Sequence, residues 1–165
     1  MVEPPPPGVY VPVPTFFVSR EASDRVAPQV DLATQAAHAV YLAESGITGL
    51  VVLGSMGEAV ALTNAERVQI LSAVRLSLKT AGFDEYPIIA GTATQSIADA
   101  LHQLTEAKIA GAQWGLCLAP GFFAGQVTQE GLKEWYKAVA DRSPIPIIMS
   151  APLWSSFISG LRCIY

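Results

Sequence analysis

Short apolar runs alternate with longer stretches of helical period along this chain. Gly49-Leu50-Val51-Val52-Leu53 is wholly apolar, as expected of a parallel strand buried on both faces. It stops at Gly54-Ser55-Met56-Gly57-Glu58. Beyond this loop Thr63, with Glu66 three residues later, has the spacing of a capping box and predicts a helix over residues 63–80. Leu62, Ile70, Leu71, Val74 and Leu78 form its apolar stripe. Pro28 suits a first helical turn, and Val30, Ala33, Ala37, Val40 and Tyr41 predict a helix over residues 28–45 with Gly46 as its stop. Pro87-Ile88-Ile89-Ala90-Gly91 and Trp114-Gly115-Leu116-Cys117-Leu118 read as strands. Helices are predicted over residues 96–109, with Ile97, Ala100, Leu101, Leu104 and Ile109 inward, and over 128–141, with Leu132, Trp135, Tyr136 and Val139. Pro146-Ile147-Ile148-Met149 begins a further strand. Residues 9–17 are apolar but carry two prolines, which argues against a central strand.

The order β-α-β-α-β-α-β-α-β implies a parallel sheet with right-handed crossovers. An open doubly wound sheet and a closed (β/α)8 barrel look alike at this level. A barrel usually needs about 250 residues, so a length of 165 taken alone favours the open sheet. In either architecture the chemistry sits at the C-terminal ends of the strands, which directs attention to the loop at Gly54–Glu58.

Composition narrows the function classes. At 51% apolar the chain can bury a sizeable core, and its net charge of −4, with scattered Lys and Arg, argues against nucleic acid and anionic membrane as partners. No apolar stretch is long enough to span a membrane. The two cysteines and two histidines lie far apart, so no metal-ligand spacing arises, and Cys117 reads as a buried thiol. Pro4 to Pro7 predict an extended, mobile leader, and Glu3 with these prolines is unlike a signal peptide.

Several segments together resemble the pyruvate-dependent class I aldolase family that includes dihydrodipicolinate synthase, N-acetylneuraminate lyase and 4-hydroxy-2-oxoglutarate aldolase. They are Gly8 with Val13-Pro14-Thr15-Phe16, the Gly54–Glu58 loop with Leu62-Thr63 and Glu66-Arg67, then Ile89-Ala90-Gly91-Thr92, Ala119-Pro120-Gly121-Phe122-Phe123 and Ser143-Pro144-Ile145-Pro146. The resemblance implies a (β/α)8 TIM barrel, here truncated to about four βα units plus part of a fifth strand. It divides the chain into a leader over residues 1–8, a partial barrel over 9–149 and a non-family tail over 150–165. It implies an oligomer, a small 2-oxo acid such as pyruvate as partner, no cofactor and no metal. The expected location is the cytoplasm, with the mitochondrion as the alternative.

In that family a lysine at the end of the sixth strand forms a Schiff base with pyruvate, and tyrosines and a hydroxyl residue relay protons. The iminium withdraws electrons from the neighbouring carbon, so C–C bonds form or break there. Ser55 matches the relay hydroxyl, and Gly54, Ser55 and Met56 match the loop whose backbone N–H groups hold the substrate carboxylate. Phe122 and Phe123 fall where the family has paired tyrosines and bring no phenolic hydroxyl; Phe123 is the candidate substrate contact there. Past Met149 the pattern breaks: Ser150-Ala151-Pro152 replaces the continuation with the fifth-strand tyrosine. The Schiff-base lysine has no counterpart, because Lys79, Lys108, Lys133 and Lys137 all fall on predicted helices. A truncated or mis-spliced product, inactive by itself, is the expectation.

Simpler readings stand beside these. Ser55 also suits a plain turn, Glu58 a loop-bracing acid, and His38 and His102 ordinary helix positions. Trp114, Trp135 and Tyr136 suit packing. Three functions therefore stay open: a lyase of this family in the full-length parent, a non-catalytic fragment that associates with itself or with whole subunits, and a small carboxylate-binding module.

Overall fold

The computed structural model describes residues 3–19, 28–122 and 125–150. Its elements are β1 (Tyr10–Pro12), α1 (Leu32–Glu44), β2 (Gly49–Val52), α2 (Asn64–Thr80), β3 (Ile88–Thr92), α3 (Ile97–Ile109), β4 (Trp114–Leu118), α4 (Gln129–Ala140) and β5 (Ile147–Ser150). The five strands form one sheet in the order β1-β2-β3-β4-β5, every pair parallel. A doubly wound sheet reverses its strand order at a switch point. Here there is no reversal, and successive helices pack on one another in chain order. The sheet is therefore an arc of a barrel, with its helices on the outer face, and the open-sheet expectation from length is corrected.

Strand residues alternate between the helix layer and the inner face. Leu50, Val52, Ile88, Ala90 and Cys117 are buried beneath the helices, against Ile70, Leu71, Val74, Leu78 and Leu104. Val51, Leu116, Leu118 and Ile148 alternate with them and are only partly covered. Gly115 has no side chain because Leu104 of α3 occupies that place. Hydrogen bonding secures the helix starts. Asp31, Thr63, Ser96 and Thr128 each cap a helix by accepting a backbone N–H, and Thr63 with Glu66 completes the reciprocal box.

Two sequence expectations shift in detail. The first helix begins at Leu32 rather than Pro28, because Asp31 takes the cap and Val30 bridges to Phe17. Its inner positions are Gln35, Ala39 and Ala43, whereas Tyr41 is exposed. So many apolar residues surround this helix that periodicity alone does not fix its phase. On α3, Ile109 likewise points outward, and Gln103 and Ala107 lie inside. The proline leader, expected to be mobile, is tied at two points across the N-terminal rim of the sheet. Trp114 Nε1 donates to the Glu3 carbonyl at 2.9 Å and the Tyr10 hydroxyl to the Pro6 carbonyl at 2.8 Å.

Cys117 is fully buried, and burial pushes its thiol up to about 11 from an ordinary 9.0, against a partial offset from the Thr92 hydroxyl. The unfolded chain thus ionises from about pH 9 while the folded one keeps its proton. The thiol's contribution is complete below pH 9 and lost as pH rises toward 11. Thermal melts of wild type and Cys117→Ala across this range should converge by about 2 kcal/mol as pH rises. Tyr10 and Tyr86, whose pKa values burial also raises, act alike in both proteins. Tyr136 is raised by burial and then by the charge of Cys117, so the difference reads the thiol together with its coupling to Tyr136. Parallel curves would refute the assignment.

Candidate functional site

Beyond β2 the chain turns sharply. Leu53 adopts a left-handed backbone (φ 63°), a conformation that costs a non-glycine residue about 1 kcal/mol or more. Residues 55–57 then form one turn of 3₁₀ helix, Glu58 is again left-handed (φ 51°), and a second such turn covers Ala59–Ala61 before the cap of α2. Ser55 and Met56 are the first residues of their turn, so their N–H groups lack intrahelical acceptors.

Three contacts fix this loop. A β-carbon at Gly91 of β3 would overlap the Leu53 carbonyl, so glycine lets β3 lie against the turn. Arg67 of α2 reaches under the sheet, and its Nη2 donates to the Gly91 carbonyl. The Thr15 hydroxyl donates to the Gly57 carbonyl at 2.6 Å from the other side. Arg67 is 4% exposed, and its Nη1 has no hydrogen-bond partner among the described residues. Desolvation lowers its pKa to about 10, partly offset by Glu106, which leaves it charged at neutral pH.

The loop borders a cavity of about 130 Å³ at the C-terminal ends of β2 to β5. Gly54, Ser55, Thr92, Leu116, Leu118 and Ser150 are among its lining residues. Two of the sequence candidates, Gly54 and Ser55, thus meet here, and the Ser55 side chain has no intramolecular hydrogen bond among the described residues. Met56 is 65% exposed and lies outside the lining. Phe123 lies outside the described residues. Its neighbour Phe122 is exposed, and its N–H donates to Gln95 Oε1 at 3.0 Å.

Ser150 escaped the sequence reading as a site residue. It ends β5 and is among the residues lining the cavity. Arg67 was also missed, although its spacing to Ile70, Leu71 and Val74 places it in the inner stripe of α2. The fold carries Lys79, Lys108, Lys133 and Lys137 on α2, α3 and α4 in the outer layer, and none lines the cavity.

The other candidates have structural partners. His102 lies 3.4 Å from Glu106, one turn along α3, and His38 packs edge-on against Phe16. Trp135 Nε1 donates to the Gln95 carbonyl at 3.2 Å, and the Tyr136 hydroxyl is shared between the Cys117 and Ser150 carbonyls, each at 3.2 Å. Among the described residues no group of three or more His, Cys, Asp or Glu is placed to hold a metal ion. No helix among them is long and apolar enough to cross a membrane.

Known proteins are similar to this chain in sequence and fold. The family model described as the dihydrodipicolinate synthetase family matches residues 24–152. A probable mitochondrial 4-hydroxy-2-oxoglutarate aldolase of Emericella nidulans is 41% identical over 143 residues, covering 87% of this chain and 44% of that protein. The L-threo-3-deoxy-hexylosonate aldolase of Aspergillus niger is 41% identical over 144 residues, covering 87% and 41% respectively. The crystal structure of a chloride-inhibited dihydrodipicolinate synthase from Acinetobacter baumannii, complexed with pyruvate, superimposes with a TM-score of 0.74 at 28% identity, covering 86% of this chain and 44% of that one. The chain spans less than half the length of the curated relatives it matches.

The contacts at Gly91 make a sharp contrast between two glycines. Gly91→Ala forces backbone apart and should cost about 2–4 kcal/mol of stability. Gly54→Ala, whose β-carbon would meet only Val51 Cγ1 at 3.7 Å, should stay within about 1 kcal/mol of wild type. Chemical denaturation of both variants reads the difference, and equal losses would show that the close approach is not what fixes the loop.

Proposed function

The chain belongs to the dihydrodipicolinate synthetase family, and from that premise we propose that residues 9–150 form the carboxylate-binding half of a Schiff-base lyase or aldolase site. The substrate class is pyruvate or a related 2-oxo acid, and the 165 residues by themselves carry no catalysis. The cavity at the strand ends is the observation that carries this reading: it has a hydroxyl on either side, at Ser55 and Ser150, apolar walls at Leu116 and Leu118, and no lysine.

The chemistry follows from what these groups offer. The N–H groups that open the 3₁₀ turn at Ser55–Gly57 suit a carboxylate, since successive backbone donors form an anion-binding concavity. Gly54 adds no bulk between the ligand and the backbone. The Ser55 hydroxyl, free of internal partners, can accept and return a proton. A 2-oxo acid becomes a carbon nucleophile only after an amine condenses with its carbonyl and expels water. None of this chain's lysines stands near enough to do so. An amine at the cavity would therefore have to come from elsewhere in a longer protein or from a whole subunit. The pyruvate complex of the A. baumannii synthase supports the substrate class. For location, the mitochondrial designation of the E. nidulans relative favours the mitochondrion over the cytoplasm.

Pyruvate and borohydride, followed by intact-mass measurement, test the proposal directly. No stoichiometric adduct should form on the 165-residue chain, and a site-specific adduct on any of its lysines would overturn the assignment. Pyruvate should nevertheless shift the amide resonances of Ser55 and Met56; unchanged resonances at saturating pyruvate would remove the carboxylate site. In a protein that joins this chain to a lysine-bearing second half, Ser55→Ala should lower turnover by about 10²–10⁴-fold with little loss of pyruvate affinity.

A further inference from the structure

At the end of the sheet opposite the cavity, the proline leader crosses the strands in a defined register. Residues 3–6 each precede a proline, which holds them extended. Pro4 to Pro7 have φ fixed at about −65°, so the sequence makes this segment a polyproline II helix of about three residues per turn. Carbonyls three residues apart then share one face. Among the described residues, those of Glu3 and Pro6 accept from the rim: Trp114 Nε1 donates to the first and the Tyr10 hydroxyl to the second. Prolines bring no N–H, so such a segment offers only acceptors and ring surface. The rim answers with two donors carried on aromatic rings.

The rim is shaped for these rings. A β-carbon at Gly49 of β2 would come within 2.5 Å of Tyr10 Cε1 and 2.7 Å of the Pro87 carbonyl, so glycine makes the space in which the Tyr10 ring lies. Pro87, Gln113, Trp114 and Pro146 line the groove beside the leader. Gln113 is committed elsewhere: its Oε1 accepts from the Ile88 N–H and Arg75 Nη2, and its Nε2 donates to the Tyr86 carbonyl. The leader itself is lightly held, with Glu3, Pro4, Pro6 and Pro7 exposed. Its charge is also ill-matched, because Glu3 lines the same groove as Glu85. Arg75 interacts electrostatically with Glu85, but its N–H groups are taken by Gly111, Asp84 and Gln113.

We propose that the N-terminal rim is a binding track for a polyproline II segment. The leader occupies it in cis, and a proline-rich segment of a partner protein, with a basic residue in place of Glu3, takes it in trans. Trp114 and Tyr10 read carbonyls one turn apart, about 9 Å, and their rings offer the flat apolar faces on which pyrrolidine rings pack. A base at the first position meets Glu85 where the leader sets a second acid beside it. The tethered leader competes at a roughly millimolar effective concentration, so it sets how much partner is needed to displace it.

Two labelled peptides test this on the full chain: acetyl-Lys-Pro-Pro-Pro-Pro-Gly and the same sequence with Glu first. Fluorescence anisotropy gives affinity, and the indole N–H resonance of Trp114 gives location. P4G/P5S/P6G/P7S removes the helix from the leader and should bind the Lys peptide at least about tenfold more tightly than wild type, with the Trp114 resonance moving. In that background Trp114→Phe keeps a ring but loses the donor, and affinity should fall about three- to tenfold. Tyr10→Phe should do the same, while circular dichroism shows each variant folded. The Glu peptide should bind more weakly than the Lys peptide. The proposal is overturned if the leader variant shows no binding at about 5 mM peptide, enough to fill a millimolar site. It is equally overturned if wild type and the leader variant bind alike, if both ring variants keep full affinity, or if the Glu peptide binds as well as the Lys peptide. A wild-type dimer in sedimentation velocity that is lost in the leader variant would assign the track to leaders exchanged between two copies, and would overturn the partner protein.

Discussion

The close approach of β3 to the end of β2 constrains everything around the cavity. Gly91 and the Leu53 carbonyl occupy space that a methyl group would fill, and the left-handed turn at Leu53 is held in place by that contact. The buried guanidinium of Arg67 completes the clamp from the helix side by engaging the Gly91 carbonyl. A charge this deeply buried is costly unless its donors are used. Here it joins α2 to β3 at the point where the backbone is most strained. The loop's position is thus set by backbone packing from below, which leaves its upper surface free.

The same arc sets which groups the cavity brings together. In a closed barrel, residues from several strands converge over the mouth, and each strand brings a different group. Strands β2 to β5 here bring small residues, hydroxyls and apolar walls. The lysines of the chain are all on the helices, separated from the mouth by the sheet itself. Position in the fold, more than the identity of any single residue, decides which of these groups can meet a ligand.

Much of this was legible in the sequence. The runs at residues 49–53 and 114–118 gave strands, and Thr63 with Glu66 gave the capping box. Serine and glycine at 54–57 announced the loop that follows β2. Other features depended on contacts that no local pattern encodes. The phase of α1 was hidden because alanines on several sides make its faces look alike. The role of Arg67 was hidden because a charged residue in an apolar stripe reads as an exception until its acceptor, 24 residues away, is known. Strand order, which separates a barrel arc from an open sheet, is a property of pairing between segments. Only the family resemblance supplied it in advance.

The tie between the leader and Trp114 has a consequence for the order in which the molecule forms. Its two ends are separated by 111 residues, so the hydrogen bond closes a loop that contains three of the four crossover helices. Closing so long a loop is entropically costly until the intervening units have already shortened it by folding. During synthesis, the leader emerges well before β4 and therefore waits for it before finding its place. Made before its partner strand, the leader is secured late, and its docking marks the moment at which the N-terminal rim of the arc becomes a continuous surface.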